Sequence, residues 1–524
     1  MNTFITQFTG KPFWWFLGSL VALDLVSFIG LHTQAETVLF VLVVIALLFV
    51  SDRKPELLLP IAIAEIISTS NGHSLNAELF GISIGIRIAL FAILMIATMF
   101  EMFKQRRNPI PQRYRLISTF FLVIVIYGIL LGWLNNYSVR NIYLDSNGYL
   151  AIGYVLSAWV WMRDSSSRRM LLQAVASGTI WIIIKTLLFL GLFGHLHPKT
   201  LDPIYKWIRD TRLGEVTLQG GNIYRVFLQS QWYIVPAIIA TSSYIWLAER
   251  SRETGVRMVF MISFVAILVS MSRSFWVALS FIALFMIALI VMNVGWKRFL
   301  HRLPDIITLK IGALALLWVI IAIPIYQSTN LSFFSDMFAG RASGVSDVAI
   351  DSRQQLLQPM WEAIMDAPMT GHGLGKTVEY ETSDPRYIDE HGTTTVATYA
   401  FEWGWLDIWI KFGILGVFMT LWLGWLLLGD LWRMIKIEQT RAWIYVTLLL
   451  SIIGLFIVHI FTPYLNHPLG WGMIAIAVAL IPFENKQLQE VHACQKVALE
   501  TSAKVHFDDR FARSERDVSK KVEE

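Results

Sequence analysis

Residues 258–293 read MVFMISFVAILVSMSRSFWVALSFIALFMIALIVMN, two apolar runs that meet at a short polar turn around Arg273. The hydrocarbon core of a bilayer is about 30 Å thick, and a helix needs roughly 20 apolar residues to cross it. Arg273 is the single charged side chain of this stretch, and it stands where the chain must reverse direction. The stretch therefore predicts a hairpin of two membrane-spanning helices and an all-α class of fold.

The composition of the whole chain agrees with a membrane location. Of 524 residues, 55% are hydrophobic and 15% are charged, and the mean hydropathy is +0.56. A water-soluble core cannot bury so much apolar surface, which excludes an ordinary soluble protein. The net charge of +5 is small for this length and falls mostly in short loops, which argues against nucleic-acid binding. A single cysteine, Cys494, excludes an intramolecular disulfide framework and a cysteine-based zinc site.

Apolar runs of spanning or nearly spanning length recur along the chain, and they predict a polytopic protein with about 14 transmembrane helices, in a range of 12 to 14. The first run lacks a small-residue cleavage site behind it, so we expect it to be a retained helix. The candidate spans lie near 13–30, 36–50, 57–69, 80–100, 116–134, 147–162, 170–194, 229–248, 258–272, 274–293, 310–326, 404–428, 442–462 and 468–484.

Lys and Arg are divided unevenly between the two sets of connecting loops. With a cytoplasmic N-terminus, the inner loops carry 19 Lys and Arg side chains, whereas the short outer loops and turns carry only Arg140 and Arg273. This positive-inside pattern predicts cytoplasmic N- and C-termini and an even number of helices. Two outer segments are long, 195–228 and 327–403.

The chain divides into four parts on this topology. Residues 1–326 hold the first eleven helices, 327–403 form one large outer loop, 404–484 hold the last three helices, and 485–524 form a polar cytoplasmic tail. Within the loop, DSRQQLLQPMWEAIMDAP has apolar residues three and four apart and stops at Pro368. That spacing predicts an amphipathic helix lying over the membrane surface.

Ionisable side chains inside predicted spans indicate where function lies, because a charge in hydrocarbon costs about 2.5–3.5 kcal/mol on insertion scales. We expect those near the outer side to line a polar cavity roofed by the large loop. Alternatively, Arg87, Lys185 and Lys411 reach the outer headgroups or pair with Glu65 and Asp407. Asp24 and His459 are not easily placed in either way. The outer group consists of Glu65, Arg87, Lys185, Arg225, Arg273, Glu402, Asp407 and Lys411.

Two other patterns carry less information. The histidines form no spaced cluster of the kind that binds zinc or iron, so no metal is expected. GHGLGK at 371–376 lacks the spacing of a phosphate-binding loop and follows no predicted strand, so we interpret it as a turn.

Four stretches carry recognisable motifs: a Ser-Arg-Ser helix end, an arginine followed by a helix and a Pro-x-x-Gly-x-Gly turn, a Gly-x-x-Gly helix start, and an arginine ahead of a proline. In that order the stretches are ILVSMSRSFWVALSFIALFM, SRQQLLQPMWEAIMDAPMTGHGLGKT, FEWGWLDIWIKFGILGVFM and GGNIYRVFLQSQWYIVPAIIA. They resemble the corresponding motifs of the O-antigen ligase and O-antigen (Wzy-type) polymerase superfamily of membrane glycosyltransferases.

The resemblance implies a GT-C-like fold and an enzyme of the bacterial inner membrane with a periplasmic active site. Such enzymes transfer a glycan from an undecaprenyl diphosphate carrier to an acceptor hydroxyl, without a cofactor. Arginine suits a diphosphate because its planar fork binds phosphate oxygens in pairs and keeps its charge when desolvated. We therefore assign Arg225, Arg273 and Arg353 to the diphosphate.

Glu402 occupies the place of the family's usual catalytic histidine, eleven residues before the first glycine of Gly-x-x-Gly. A carboxylate can accept the hydroxyl proton there, so Glu402 is the candidate general base. One-step attack opposite the diphosphate inverts the anomeric centre and requires no second carboxylate. The departure from histidine shifts the prediction from a ligase towards a polymerase of O-antigen, capsule or exopolysaccharide.

Further residues are expected to contact the substrate. The expected ligands are a lipid-linked glycan donor, a glycan acceptor and membrane lipids, with a flippase and a chain-length regulator as possible protein partners and no nucleic acid. Alternatives are a ligase acting on lipid A-core, a flippase or transporter, and a cell-wall polymerase of the shape and elongation type. The additional substrate-binding candidates are Arg87, Lys185, Arg341, His372, Tyr380 and Lys411.

Overall fold

The computed structural model describes residues 4–79, 82–106, 108–220, 223–247, 253–322, 348–382, 388 and 392–483. Residues 1–481 form one compact unit, and a second unit at 482–524 falls almost wholly outside the described residues. The predicted tail at 485–524, the first part of the large loop and Arg341 also lie outside them.

Helices dominate the described residues. They are α1 (Phe4–Phe8), α2 (Lys11–Gly30), α3 (Gln34–Arg53), α4 (Leu58–Thr69), α5 (Ile86–Gln105), α6 (Gln112–Leu134), α7 (Val139–Leu150), α8 (Gly153–Trp161), α9 (Ser165–His195), α10 (Pro198–Asp210), α11 (Ile234–Leu247), α12 (Thr254–Ser270), α13 (Arg273–Val294), α14 (Trp296–Ala322), α15 (Val348–Asp366), α16 (Gly404–Ile437), α17 (Ala442–Phe461) and α18 (Pro468–Leu480).

The helices confirm an all-α polytopic membrane protein. Eight helices of the described residues are long and apolar enough to cross a membrane, and α12 and α18 are apolar but shorter. Each candidate span overlaps a helix, although a turn between α7 and α8 divides the span expected at 147–162. The count of 14 and the GT-C-like arrangement stay predictions.

Among the described residues, three short antiparallel hairpins accompany the helices, and the sequence analysis did not anticipate them. In the β3–β4 hairpin, Val216 and Val226 are paired and buried on one face, while Thr217 and Arg225 are paired on the other. This alternation has the period of a strand, which a search for long apolar runs overlooks. The hairpins are β1–β2 (Asn76–Leu79 and Ile82–Gly85), β3–β4 (Gly214–Gly220 and Ile223–Leu228) and β5–β6 (Val378–Glu381 and Thr395–Thr398).

Predicted outer segments meet one another at one end of the helical unit. Hydrogen bonds join segments around residues 32, 70, 212, 230 and 464. The contacts are Ser70 to Ser230 (3.0 Å between hydroxyl oxygens), Asn71 Nδ2 to the Arg212 carbonyl (3.0 Å), the His32 ring to Asp210 (2.9 Å) and the Tyr464 hydroxyl to the Gln229 carbonyl (2.8 Å).

Predicted inner segments likewise contact one another. The separation of the two sets of contacts is what alternate crossing requires, and it leaves open which end faces the cytoplasm. The inner contacts are the Tyr114 hydroxyl to Asp430 (2.7 Å), Arg163 to Gln105 (2.8 Å) and Arg257 to Asp305 (3.7 Å).

Helix α15 is the helix expected in the large loop, and it ends at Asp366, two residues before Pro368. Its apolar stripe is buried within the protein, while Trp361 and Met365 are exposed on another side. The helix is therefore held by protein contacts as well as by any contact with lipid. The buried cluster consists of Leu356, Met360, Ala363, Ile364, Val378, Phe401 and Ile410.

Helix α16 breaks at Gly413, where φ is 67° and ψ is −171°. The break admits the turn that follows α15, because the Ile414 amide donates to the Pro368 carbonyl at 3.0 Å. A Cβ atom on Gly413 would lie 2.1 Å from the Met369 carbonyl oxygen. Both the backbone conformation and the lack of space therefore require glycine at this position.

We expect Gly413→Ala to destabilise the protein by about 1–3 kcal/mol or more, because the new methyl group meets backbone and the left-handed conformation is strained. Thermal unfolding of the detergent-solubilised protein measures the change. Gly191→Ala is the matched control, since a Cβ there meets nothing within 4 Å, and it should leave the midpoint unchanged or raise it. Equal midpoints for the two variants would contradict the packing role of Gly413.

Candidate functional site

The candidate charges fall into two groups that differ in burial. One group is enclosed within the helical unit, and each of its cations has a carboxylate partner. The other group belongs to the predicted outer segments and turns and keeps part of its side-chain surface exposed. The buried cations are Arg87, Lys185 and Lys411, and the partly exposed side chains are Arg225, Arg273, Arg353 and Glu402.

Arg87 is enclosed between α4 and α5. Its Nε donates to Glu65 at 2.9 Å, and its two terminal nitrogens donate to the Ser70 carbonyl at 2.6 Å and to the Thr69 hydroxyl at 2.9 Å. Arg87 and Glu65 are both buried. The guanidinium is thus fully engaged, as the pairing alternative for Arg87 predicts.

Lys185 neutralises the carboxylate that the sequence left unplaced. Its ammonium lies 2.8 Å from Asp24 and donates to the Ser68 carbonyl at 2.6 Å. The Trp181 indole donates to the same Asp24 carboxylate at 2.6 Å. This pair joins α2 to α9 inside the unit.

Lys411 bridges two carboxylates, Asp145 at 2.5 Å and Asp407 at 2.6 Å. Asp145 also accepts from the Gly375 amide at 2.8 Å, and Asp407 accepts from the Asn466 side chain. One buried ammonium therefore connects α7, α16, the GHGLGK turn and the loop before α18. We call these five residues the Lys411 network.

These three pairings do not support the common cavity expected from the sequence. The charges form separate paired networks, and none of the three cations presents its charge at the outer surface. Removing one partner of a buried pair costs about 3–5 kcal/mol, so a diphosphate would have to pay that penalty to bind such a cation. A substrate role for Arg87, Lys185 and Lys411 stays a prediction that the geometry does not favour.

Arg273 is the first residue of α13, after a turn made only of Met271 and Ser272. Met271 has φ 47°, which reverses the chain directly after α12. Arg273 is partly exposed beside the amino end of a long helix, where unpaired amide groups and the helix dipole favour an anion. The predicted tight turn is confirmed, and Arg273 begins the helix that follows it.

Arg225 lies on β4 and reaches the same turn. Its Nε donates to the Ser270 carbonyl at 3.2 Å, three residues before Arg273 in the chain. Its guanidinium lies over the Phe227 ring at 4.9 Å and lies 3.5 Å from Glu215. Two of the three arginines assigned to the diphosphate, Arg225 and Arg273, are therefore on segments that the Arg225–Ser270 hydrogen bond joins.

Arg353 and Glu402 form an ion pair at the start of α16. The Arg353 side chain is 40% exposed and the Glu402 side chain is 51% exposed. The Trp403 indole donates to the Arg353 carbonyl at 3.0 Å, which ties the end of the large loop to α15. The structure thus joins the candidate base to one of the candidate phosphate-binding cations.

The segment 461–466 connects these two parts of the site. The Phe461 ring lies 6.0 Å from that of Trp403, beside Glu402, and the Tyr464 ring lies 6.3 Å from that of Phe275, beside Arg273. His459, which the sequence left unplaced, is buried below this segment and accepts from the Leu465 amide at 3.2 Å.

The sequence analysis missed this connecting role, as it missed Asp145 and Asn466. FTPYLNHP is a short polar turn between two apolar runs, and that interruption was the available signal.

The remaining loop candidates have structural partners. His372 donates through Nε2 to the Ala363 carbonyl at 2.7 Å, and its amide donates to the Ile410 carbonyl at 2.7 Å. Tyr380 packs against the buried cluster of α15. Burial raises the pKa of the Tyr399 phenol, which follows β6 in the same loop.

The exposed group offers anion binding by guanidinium groups and proton acceptance by a carboxylate. Across the ranges that the structure describes, no group of three or more His, Cys, Asp or Glu side chains is placed to hold a metal ion. Metal independence stays a prediction.

We expect Lys411→Met to destabilise the protein by about 3–5 kcal/mol, because it leaves two buried carboxylates without their cation. Thermal unfolding and size-exclusion chromatography measure the effect. Lys436→Met is the matched control on the same helix, since Lys436 is exposed and its loss should change stability little. A Lys411→Met protein that is as stable as the wild type but has lost substrate binding would instead establish the substrate role.

The similarity to known proteins lies in the central part of the chain, in a match to a family model. No curated protein and no solved structure matches the chain. A family model described as O-antigen ligase matches residues 258–421, which include Arg273, Arg353, Glu402 and the Lys411 of the network, whereas Arg225 and the segment 461–466 lie outside the match. Residues 258–421 are therefore similar to the O-antigen ligase family, which confirms the family resemblance predicted from the sequence.

Proposed function

We propose that the protein polymerises oligosaccharide repeat units carried on undecaprenyl diphosphate into O-antigen, capsule or exopolysaccharide. The observation that carries this proposal is the partly exposed group at one end of the helical unit. There Arg225 contacts the turn that leads into Arg273, and Arg353 contacts Glu402. Cations and a carboxylate together match a reaction that expels a diphosphate and removes a proton.

The arginines would hold the diphosphate of the donor. Charge develops on the bridging oxygen as the bond to the sugar breaks, and fixed cations stabilise that charge most where water is partly excluded. Arg273 has the further support of the α13 amino end. The exposed apolar surfaces of the spanning helices suit the polyprenyl chain.

Glu402 would act as the general base. The acceptor oxygen forms a bond to the anomeric carbon of the donor while the carbon–oxygen bond to the diphosphate breaks, and the lipid diphosphate leaves with that electron pair. The hydroxyl proton passes to the Glu402 carboxylate. Attack from the side opposite the leaving group inverts the anomeric configuration. A diphosphate that engages Arg353 would release Glu402 from its ion pair for this step.

The location of the reaction is part of the proposal. The positive-inside distribution supports cytoplasmic termini and a periplasmic site in a bacterial inner membrane. A flippase that delivers the donor and a chain-length regulator are the expected partners.

A ligase that transfers finished polymer to lipid A-core is the second candidate. The description of the matching family model favours it. The carboxylate at Glu402, where ligases of the family usually carry histidine, favours the polymerase.

Incubation of the purified protein with lipid-linked repeat units decides between them. A ladder of products on a gel supports the polymerase, and a single addition to a supplied core lipid supports the ligase. The absence of transfer to any acceptor would refute both and favour transport.

We expect Arg273→Ala to abolish transfer without loss of folding, and Arg273→Lys to be nearly as poor, because lysine cannot replace a paired guanidinium contact with phosphate. Transfer rates and size-exclusion profiles are the measurements. Arg209→Ala and Arg209→Lys are matched controls on an exposed arginine of α10, and both should keep wild-type activity. Wild-type transfer by Arg273→Ala would remove this residue from the mechanism.

We expect Glu402→Gln to lower kcat by about 10²- to 10⁴-fold, the usual contribution of a positioned general base. Glu402→His should recover part of that loss, since imidazole also accepts a proton. Glu362→Gln removes an exposed carboxylate of α15 and serves as the control. If Glu402→Gln turns over at the wild-type rate, another group must accept the proton.

A further inference from the structure

Glu215 is a carboxylate beside the candidate phosphate site that the proposed mechanism does not use. In the β3–β4 hairpin, Glu215 pairs with Phe227 and Thr217 pairs with Arg225. Residues two apart on a strand share a face, so these four side chains lie on the same face of the hairpin. The opposite face, with Val216 and Val226, is buried in the core. The hairpin therefore fixes Glu215 beside Arg225.

The guanidinium of Arg225 has little freedom to turn away. Its Nε donates to the Ser270 carbonyl at 3.2 Å, and its plane lies over the Phe227 ring at 4.9 Å. Nη1 lies 3.5 Å from the Glu215 carboxylate. The carboxylate oxygen thus stands where a phosphate oxygen would approach the same nitrogen.

The two side chains differ in exposure. The Glu215 side chain is 65% exposed, whereas that of Arg225 is 20% exposed. Glu215 is therefore the more solvent-accessible member of the pair. Exposed ion pairs are weak, so a diphosphate can displace this carboxylate at small cost.

We infer that Glu215 is an internal competitor of the lipid diphosphate for Arg225. This inference rests on the proposed function, because it takes the diphosphate as the ligand of Arg225. The product has one more ionised oxygen than the donor once the bond to the sugar is broken, so it binds cations more tightly. A carboxylate that returns to Arg225 favours release of that product.

Equilibrium binding of undecaprenyl diphosphate to the full-length protein in detergent tests the inference. Glu215→Gln should bind about two- to fivefold more tightly than the wild type, and fivefold corresponds to about 1 kcal/mol. Glu379→Gln, which removes an exposed carboxylate from the β5–β6 hairpin, should leave the affinity unchanged. In an Arg225→Ala background, Glu215→Gln should not change the affinity for undecaprenyl diphosphate, because the guanidinium for which Glu215 competes is absent.

Transfer kinetics provide the second readout. Glu215→Gln should lower KM for the lipid-linked donor by the same factor and keep kcat within about twofold. Unchanged affinity, a gain that persists with Arg225→Ala, or a more than tenfold loss of kcat would each overturn the inference. If wild-type protein failed to bind undecaprenyl diphosphate at all, the proposed function itself would fall, which separates the two failures.

Discussion

The Lys411 network is the interaction on which the arrangement of the site depends. One buried ammonium holds Asp145 of α7 and Asp407 of α16, and these carboxylates in turn hold Gly375 of the large loop and Asn466 of the segment before α18. Such a network is stable only when every member has its partner. It therefore fixes the position of the loop that carries Glu402 relative to the helices.

Hydropathy and charge predicted much of the fold because a bilayer imposes long apolar helices with cations on one side. The sequence also predicted α15 and the turn at Arg273, since Pro368 and the run SMSRS mark them locally. The three hairpins were not predicted, because short strands in the predicted outer loops show only a weak alternation of apolar and polar residues. The place of Asp24 was not predicted, because its partner, Lys185, is far from it in the sequence.

The candidate site was predicted by residue type but not by role. Arg225 contacts the turn before Arg273, and Arg353 pairs with Glu402, whereas the roles of these four residues stay predictions. A single sequence cannot show which cations have buried carboxylate partners, because it does not give the burial of Lys411 or of Arg353. Burial is a property of three-dimensional packing, and it separates them here.

Energetics decide which of these ion pairs can exchange a partner for a ligand. Breaking a buried pair costs about 3–5 kcal/mol, whereas an exposed pair contributes about 0–1 kcal/mol. A diphosphate cannot recover the first cost from one contact, but it easily recovers the second. Arg225 with Glu215 and Arg353 with Glu402 are partly exposed pairs, and under the proposed function each guanidinium would pass from its carboxylate to a phosphate group. The buried pairs would then hold the scaffold while the partly exposed pairs exchange partners.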